Sequence, residues 1–422
     1  MLATTEIAAG EYGKSTLANG VRVVTQSVPH CESVAMGVLV ECGSAHESAV
    51  GNGLAHLCEH MLFQGTGRRT SSRIAEEVDL LGGQIGAFTA RDYTCYSAHV
   101  MGGYAFHSLE LLADLVLNST FPEPELEYEK RAILREIDAA ADNPSARLHQ
   151  WLRQQVWDGH PLSRPIPGSS GNVARFTSED ALCFLHEHYT PGRIVVVAAG
   201  QVEHEQFASE VHDCFWRLLG GGATESAGSP GFRSCSLSVE SPLRQSYSLV
   251  GLPAPAYAST DRYAMHALAA ILGGGPSSRL ARSLRGESGL AYDVHAEYQA
   301  YRDAGLLTVE VCTSPQSMDA AAGRVEAEIG AIAGGARPVE DDELWRAKLR
   351  LRGQHMVGGG GIGTLMSRLA TQELYFGQWI STSAVSAGID GLSLAGVRRV
   401  AAEWLGRWRE AGRLAVGPSP NS

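Results

Sequence analysis

Apolar and polar residues alternate along two stretches in the first half of the chain, residues 84–89 and 94–100. Successive side chains of a strand point to opposite faces, so this alternation predicts two strands of a sheet. Over residues 109–117 the apolar positions recur with the helical period of about 3.6 residues, which predicts a helix. The first half therefore mixes strands and helices.

The same order of elements occurs in both halves of the chain. A predicted helix precedes Ser-Ser-Arg, and a pair of long strands follows, at residues 54–63, 71–73 and 84–100 and again at 266–272, 277–279 and 292–313. This repetition indicates an internal duplication. We therefore predict an α+β fold of two similar domains, each a mainly antiparallel sheet with helices packed on one face.

Two glycine-rich stretches interrupt these patterns. Residues 221–231 are rich in Gly and Ser, as linkers are, and they predict a boundary between a domain over residues 1–220 and another over residues 232–422. Residues 358–363 contain five glycines, each of which costs a helix about 1 kcal/mol relative to Ala. We expect a broken or mobile segment there, or equally a loop far from the chemistry.

Composition limits the kinds of protein this chain can be. A length of 422 residues suits two or more domains, and a net charge of −12 argues against a nucleic-acid surface. We expect no membrane span, because no stretch of 18 apolar residues occurs. The first residues lack a basic segment followed by an apolar one, so we expect a cytoplasmic protein.

The most informative chemistry is the motif His56-x-x-Glu59-His60. Positions i, i+3 and i+4 share one face of a helix, where two imidazoles can bind one zinc ion and the carboxylate can take a proton from water. The alternative is an amphipathic helix with these three side chains on the surface. The apolar flanking residues argue against it, because His and Glu in a buried helix need partners.

A catalytic zinc needs a third protein ligand, which is commonly a carboxylate. Residues 124–137 read as a helix with Pro and Glu in its first turns. Glu129 and Glu136 lie two turns apart on one face of it. By pattern alone, each of them is more typical of a surface charge than of a metal ligand.

With these motifs the chain resembles the pitrilysin family of metallopeptidases, and most closely its short members that are similar to mitochondrial processing peptidase. In that family the His-x-x-Glu-His motif is followed, at the spacing seen here, by a helix with Glu-(six residues)-Glu. The sequences of residues 17–24, 61–66 and 188–200 also resemble the family. The resemblance implies one zinc per chain, bound by His56, His60 and Glu136. It makes Glu59 the general base and Glu129 a carboxylate that orients a ligand.

A second motif of the family is Arg-(six residues)-Tyr, which this chain has at Arg285 and Tyr292. The resemblance implies that both face the zinc site across a chamber, where an arginine and a phenol suit a carbonyl oxygen that becomes negative. From the residues alone, a surface Arg and a half-buried strand Tyr would be preferred.

The resemblance also implies a substrate-binding strand at Gly86, Ala87, Phe88 and Thr89. In the family this strand pairs with the substrate backbone, which reads backbone more than side chains. The family has Asn-Ala where this chain has Gly86-Ala87, so one side-chain hydrogen bond to substrate is missing here.

The resemblance implies a zinc endopeptidase that cleaves unfolded peptides or leader and precursor segments inside a closed chamber. Two chains form that chamber, and the Arg–Tyr pair comes from the partner, in a homodimer or in a heterodimer with a related chain. The alternative is a non-catalytic peptide-binding or assembly subunit. Such subunits typically lose motif residues, whereas this chain keeps the five residues of the two motifs.

Overall fold

The computed structural model describes residues 11–220, 227–357 and 361–418. The strands are β1 (Tyr12–Thr16), β2 (Arg22–Ser27), β3 (Ser33–Val40), β4 (Gln84–Thr89), β5 (Thr94–Met101), β6 (Ile194–Gly200), β7 (Cys235–Glu240), β8 (Ser246–Ala254), β9 (Ala291–Ala300), β10 (Gly305–Thr313) and β11 (Gly412–Gly417). The helices are α1 (Leu54–Met61), α2 (Ser71–Leu80), α3 (Ala105–Asn118), α4 (Glu123–Asp142), α5 (Pro144–Val156), α6 (Ser170–Arg175), α7 (Ser178–His188), α8 (His204–Phe215), α9 (Arg262–Gly273), α10 (Met318–Ala333), α11 (Asp341–Val357), α12 (Ile362–Phe376), α13 (Thr382–Asp390) and α14 (Leu394–Trp404).

The first sheet has six strands in the order β1-β2-β6-β3-β5-β4, and all its pairs are antiparallel except β2 with β6. One face of the sheet belongs to the main core of its unit, where Val23, Met36, Val38 and Tyr96 pack with buried residues of α1 and α3. These residues share one face because every second side chain of a strand points to the same side of the sheet.

The second sheet has five strands in the order β7-β11-β8-β10-β9, and again only the β7–β11 pair is parallel. With β7 matched to β2 and β11 to β6, the two sheets have the same connections and differ only in that the first has the additional strand β1. The predicted α+β fold and its internal duplication are confirmed.

Each sheet also carries a helix on the face opposite its main core. Helix α12 packs on the first sheet, where Met366, Leu369 and Ala370 join Leu39 and Val197 in a second cluster. The helices of the fold therefore cover more than the one face expected from the sequence. Both faces of β6 are buried as a result, which explains its unbroken run of apolar residues.

Helix α5 covers the corresponding face of the second sheet. Its Leu152 lies directly over Gly251 of β8 and Gly412 of β11. A Cβ atom on Gly251 would come within 2.5 Å of Leu152 Cδ2, and one on Gly412 within 2.7 Å of Leu152 Cδ1. The two glycines are therefore required by the close approach of the helix to the sheet.

These two helices make the compact units discontinuous in sequence. One unit consists of residues 1–138, 164–226 and 358–379, and the other of residues 139–163, 227–357 and 380–422. Helix α5 is thus in the unit of the second sheet and α12 in the unit of the first. The sequence predicted a single division at residues 221–231. It did not predict that each half of the chain contributes one helix, α5 or α12, to the unit of the other half.

The predicted linker falls partly on residues 221–226, which lie outside the described residues. The same holds for residues 358–360 of the glycine run. Helix α11 ends at Val357 and α12 begins at Ile362, with Gly361 as its N-cap residue. No helix among the described residues has the length and apolar composition needed to cross a membrane.

Candidate metal centre

The start of helix α1, which carries the His-x-x-Glu-His motif, is set by the conformation of Gly53 and by hydrogen bonds to Glu47. Gly53 precedes it with φ at 111°, a conformation that residues with a Cβ rarely adopt. The buried carboxylate of Glu47 accepts hydrogen bonds from the backbone N–H groups of Gly53 at 3.0 Å and Ala55 at 2.7 Å, and from Asn52 Nδ2 at 2.7 Å. Glu47 thereby satisfies N–H groups that a helix N-terminus leaves unpaired.

The two faces of α1 have different surroundings. Ala55, Leu57, Cys58 and Met61 are buried in the core, and Cys58 Sγ lies 3.5 Å from the carbonyl oxygen of Ala181. His56, Glu59 and His60 occupy the other face. The thiol inside the motif therefore points away from the two imidazoles.

Helix α4 supplies the carboxylates that lie opposite α1. It buries Leu126, Glu129, Lys130 and Ile133. Glu136 lies two turns after Glu129 on the same side, with about half of its side chain exposed. The predicted helix and the shared face of the two glutamates are confirmed.

His56, His60 and Glu136 form a compact group of potential ligands, with one ligand atom of each within 4.8 Å of the others. His56 Nε2 is 3.7 Å from Glu136 Oε2, and His60 Nε2 is 3.8 Å from Glu136 Oε1. Two ligands of a tetrahedral zinc lie roughly 3.4 Å apart when each bond is about 2.0–2.1 Å. Among the described residues, no other three His, Cys, Asp or Glu side chains gather in this way.

The hydrogen bonding of one imidazole and the burial of the other suit metal binding. His60 Nδ1 lies 2.8 Å from Glu129 Oε2, and a hydrogen bond to a carboxylate places the proton on Nδ1. The lone pair of His60 is then on Nε2, which faces Glu136. Burial, together with the neighbouring His60, lowers the pKa of His56 to about 4, which keeps that ring neutral.

The donors present therefore fit zinc. Two neutral imidazoles and one carboxylate are a common set for a catalytic zinc, which keeps a further position open. Glu129 orients His60 in the way that an outer carboxylate usually orients a zinc-binding histidine. His56 differs, because its Nδ1 is buried and finds no hydrogen-bond partner among the described residues.

Glu59 lies on the same face as the two histidines, and its orientation is fixed by a neighbour. Thr89 Oγ1 donates a hydrogen bond of 2.6 Å to Glu59 Oε2. Burial raises the pKa of Glu59, while the Thr89 bond and His60 oppose that rise. A carboxylate with a raised pKa is suited to accept and later return a proton.

The predicted substrate strand is β4, which lies at the edge of the first sheet and pairs with β5 alone. Phe88 is exposed and its ring contacts Tyr93, and a Cβ atom on Gly86 would meet open space. Thr89 ends the strand with its hydroxyl directed to Glu59. That β4 binds substrate stays a prediction.

Arg285 and Tyr292 belong to the second unit. Arg285 lies in a seven-residue π-helix, Ala281–Glu287, with its Nη1 3.7 Å from Asp293 Oδ1. Tyr292 is the second residue of β9 and is exposed. Both side chains are accessible, and their predicted role as a substrate clamp stays a prediction.

Sequence reasoning missed three contacts of this site. It did not find Glu47 as the residue that caps α1, Gln64 as a partner of Glu129, or the bond from Thr89 to Glu59. Gln64 offered a signal, because it follows His60 at i+4 and so lies on the same helical side. Glu47 and Thr89 offered none, because their partners come close only through the tertiary fold.

Comparison with known proteins identifies the family. Residues 22–170 match the family model described as insulinase (peptidase family M16), and residues 175–351 match that of the peptidase M16 inactive domain. The uncharacterized zinc protease YmxG of Bacillus subtilis is 31% identical over 386 residues, which are 92% of this chain and 94% of that protein. The chain belongs to peptidase family M16.

Solved structures agree on the M16 fold. The peptidase M16 inactive domain from Pseudomonas fluorescens has a TM-score of 0.90 to this chain, at 19% identity and with 97% of this chain and 98% of that chain covered. A protease from Helicobacter pylori has a TM-score of 0.88, at 20% identity and with coverage of 97% and 100%. The predicted resemblance to pitrilysin-like peptidases is confirmed.

Proposed function

We propose that this M16 chain is a zinc-dependent endopeptidase. The observation that carries the proposal is the group of His56, His60 and Glu136, whose ligand atoms lie within 4.8 Å of one another on the face that also presents Glu59. Glu129, bonded to His60, completes the five motif residues. A non-catalytic subunit would have no need for this complete arrangement.

His56, His60 and Glu136 would hold the metal. When bound, zinc supplies a Lewis acid that polarises the scissile carbonyl and makes water more acidic. Glu59 accepts a proton from the water as the water oxygen forms a bond to the carbonyl carbon. Glu59 then returns that proton to the amide nitrogen as the carbon–nitrogen bond breaks.

Arg285 and Tyr292 would stabilise the carbonyl oxygen while it carries negative charge. Their exposure leaves both side chains available to a substrate. We propose that they act on the zinc site of a partner chain in a homodimer. A heterodimer with a related chain is the second possible assembly.

The substrate would be an unfolded peptide or a leader or precursor segment. An edge strand such as β4 adds an extended chain through main-chain hydrogen bonds, which favours flexible segments over folded ones. Gly86 presents no side chain at that edge, so recognition there depends on the backbone.

Replacing Glu59 tests the proposal. We expect Glu59→Gln to lower kcat for a quenched-fluorescent peptide by about 10²–10⁴-fold, because the amide cannot accept the proton of water. We expect its zinc content to equal that of the unaltered protein, because Glu59 is not a ligand. Cleavage assays and metal analysis of the same preparations give both values.

Glu76→Gln is the matched control, because Glu76 is an exposed carboxylate on α2 whose partner is Arg73. It should leave cleavage unchanged. Absence of stoichiometric zinc from the unaltered protein, or unchanged cleavage by Glu59→Gln, would contradict the proposal.

A further inference from the structure

Gln64 lies just beyond the metal-binding helix. Helix α1 ends at Met61, and the chain continues in a single 3₁₀ turn, Leu62–Gln64. The N–H of Leu62 still bonds to the carbonyl oxygen of Cys58, so the turn prolongs the helix. This continuity brings the Gln64 side chain to the same side as His60.

Both oxygens of Glu129 are held by residues of this one stretch. Oε2 accepts from His60 Nδ1 at 2.8 Å, and Oε1 accepts from Gln64 Nε2 at 2.9 Å. Glu129 is buried, with 8% of its surface exposed. A buried carboxylate with a free oxygen would be costly, and its side chain could then turn away from His60.

The donor on Gln64 is an uncharged amide. Lys130, the residue after Glu129 in the chain, does not take this place. Its Nζ donates hydrogen bonds to Glu127 and to the carbonyl oxygen of Phe176. The amide of Gln64 therefore fixes Oε1 of Glu129, while Oε2 stays bonded to His60. A carboxylate that accepts the Nδ1 hydrogen bond makes Nε2 of His60 a stronger ligand for a metal.

We infer that Gln64 is a positioning residue of the metal centre, which orients Glu129 and through it fixes the tautomer and ring of His60. The inference rests on the proposed zinc site and adds a residue outside the five motif residues. The hydrogen bond of Gln64 goes to Glu129 and not to a ligand atom of His56, His60 or Glu136. Its effect is therefore on the affinity for zinc.

Three substitutions separate the hydrogen bond from the space that Gln64 fills. Gln64→Met keeps similar length and removes the donor, Gln64→Glu adds a second carboxylate beside Glu129, and Gln64→Lys keeps an N–H donor. We expect the zinc dissociation constant to rise about 10-fold or more in the Met variant and further in the Glu variant. The Lys variant should stay within about 3-fold of the unaltered protein.

The measurement is a competition titration of the zinc-free protein with zinc and a chelator, accompanied by thermal unfolding of the zinc-free form. Gln206→Met is the matched control, because Gln206 makes the same amide-to-carboxylate bond to Glu210, at 3.0 Å, on the surface of α8. It should leave zinc affinity unchanged.

The outcomes separate this inference from the proposed function. Failure of the unaltered protein to bind one zinc contradicts the peptidase proposal itself. If the unaltered protein binds zinc and the Met and Glu variants bind it with the same affinity, the role of Gln64 is overturned. The role is also overturned if the Lys variant loses as much affinity as the Met variant while its zinc-free form unfolds at an unchanged temperature.

Discussion

His56 and His60 are prepared for metal binding by different routes. His56 is kept neutral by burial and by the neighbouring imidazole, which lower its pKa to about 4. His60 has its proton fixed on Nδ1 by the hydrogen bond to Glu129. The state of His56 is thus set by its surroundings, whereas that of His60 is set by a hydrogen-bond partner.

Thr89 gives a prediction at this scale. Thr89→Val keeps the shape of the side chain and removes the hydroxyl that donates to Glu59. A hydrogen bond to a charged group contributes about 1.5–3 kcal/mol, so we expect kcat to fall by about 10–100-fold. KM and zinc content should change little, because the substitution affects the orientation of Glu59 and not the ligands. Steady-state kinetics and metal analysis measure these values.

Thr89→Ser is the control, because it keeps the hydroxyl and loses only a methyl group. It should retain most of kcat. Equal losses of kcat in the Val and Ser variants would show that the Thr89–Glu59 bond has no part in the reaction.

At the scale of elements, the loop after α1 is tied to α3 by one buried carboxylate. Asp114 accepts from Thr66 Oγ1 at 2.8 Å, from Arg69 Nη1 at 2.6 Å, from Arg68 Nη2 at 2.9 Å and from Asn118 Nδ2 at 2.8 Å. Burial alone would raise the pKa of Asp114, but these hydrogen bonds outweigh burial and hold it below its ordinary value. The anchor fixes the segment that leaves the metal-binding helix.

We expect Asp114→Asn to lower the free energy of unfolding by about 1.5–3 kcal/mol at neutral pH, because the buried position loses a charged acceptor while both arginines keep Glu110. A carboxyl group with a lowered pKa stabilises the fold above its ordinary pKa of 3.8 and loses that effect as the pH falls below it. The difference between variant and unaltered protein should therefore shrink under acid conditions. Urea unfolding over a pH series measures it.

Glu110→Gln serves as the control, because Glu110 pairs with the same two arginines at a partly exposed position of α3. It should change stability by about 1 kcal/mol or less. A comparable loss in both variants would mean that the anchor does not depend on burial of Asp114.

For the whole molecule, helix α12 lies in the chain between β10 and β11 of the second sheet but packs on the first sheet. Its Glu373 is buried and pairs with Lys14 Nζ at 2.8 Å and with Arg22. These contacts bind α12 to β1 and β2, which form one edge of the first sheet. Each unit is therefore completed by a helix from the other half of the chain.

The proposed dimer gives a prediction at this scale. Glu59→Gln and Arg285→Ala chains should each be inactive alone. If Arg285 acts on the partner's zinc site, mixed dimers contain one site with both residues intact. Random exchange of subunits should then restore about a quarter of the activity, because half of the dimers are mixed and each has one complete site.

The measurement is peptide cleavage after the two variants have been mixed at equal concentration and allowed to exchange subunits. Re-mixing each variant with itself is the control. Exchange without any recovery of activity would contradict the supply of Arg285 by the partner and favour its action within one chain.

The local elements of this protein follow from its sequence. Alternation of apolar residues predicted β4 and β5, and helical periodicity predicted the helix that carries Glu129 and Glu136. The motif alone placed His56, Glu59 and His60 on one face of α1. These predictions succeed because the period of a helix or a strand is set by neighbouring residues.

The tertiary structure decided which of these elements meet. Residues 84–89 bring Thr89 to Glu59, and Gln64 reaches Glu129, because the core sets the positions of α1, α4 and the first sheet. The exchange of α5 and α12 was likewise invisible in the sequence, since an amphipathic helix shows that it needs an apolar partner but not which sheet supplies it. The sequence thus determined the chemistry of the centre, and packing determined its geometry.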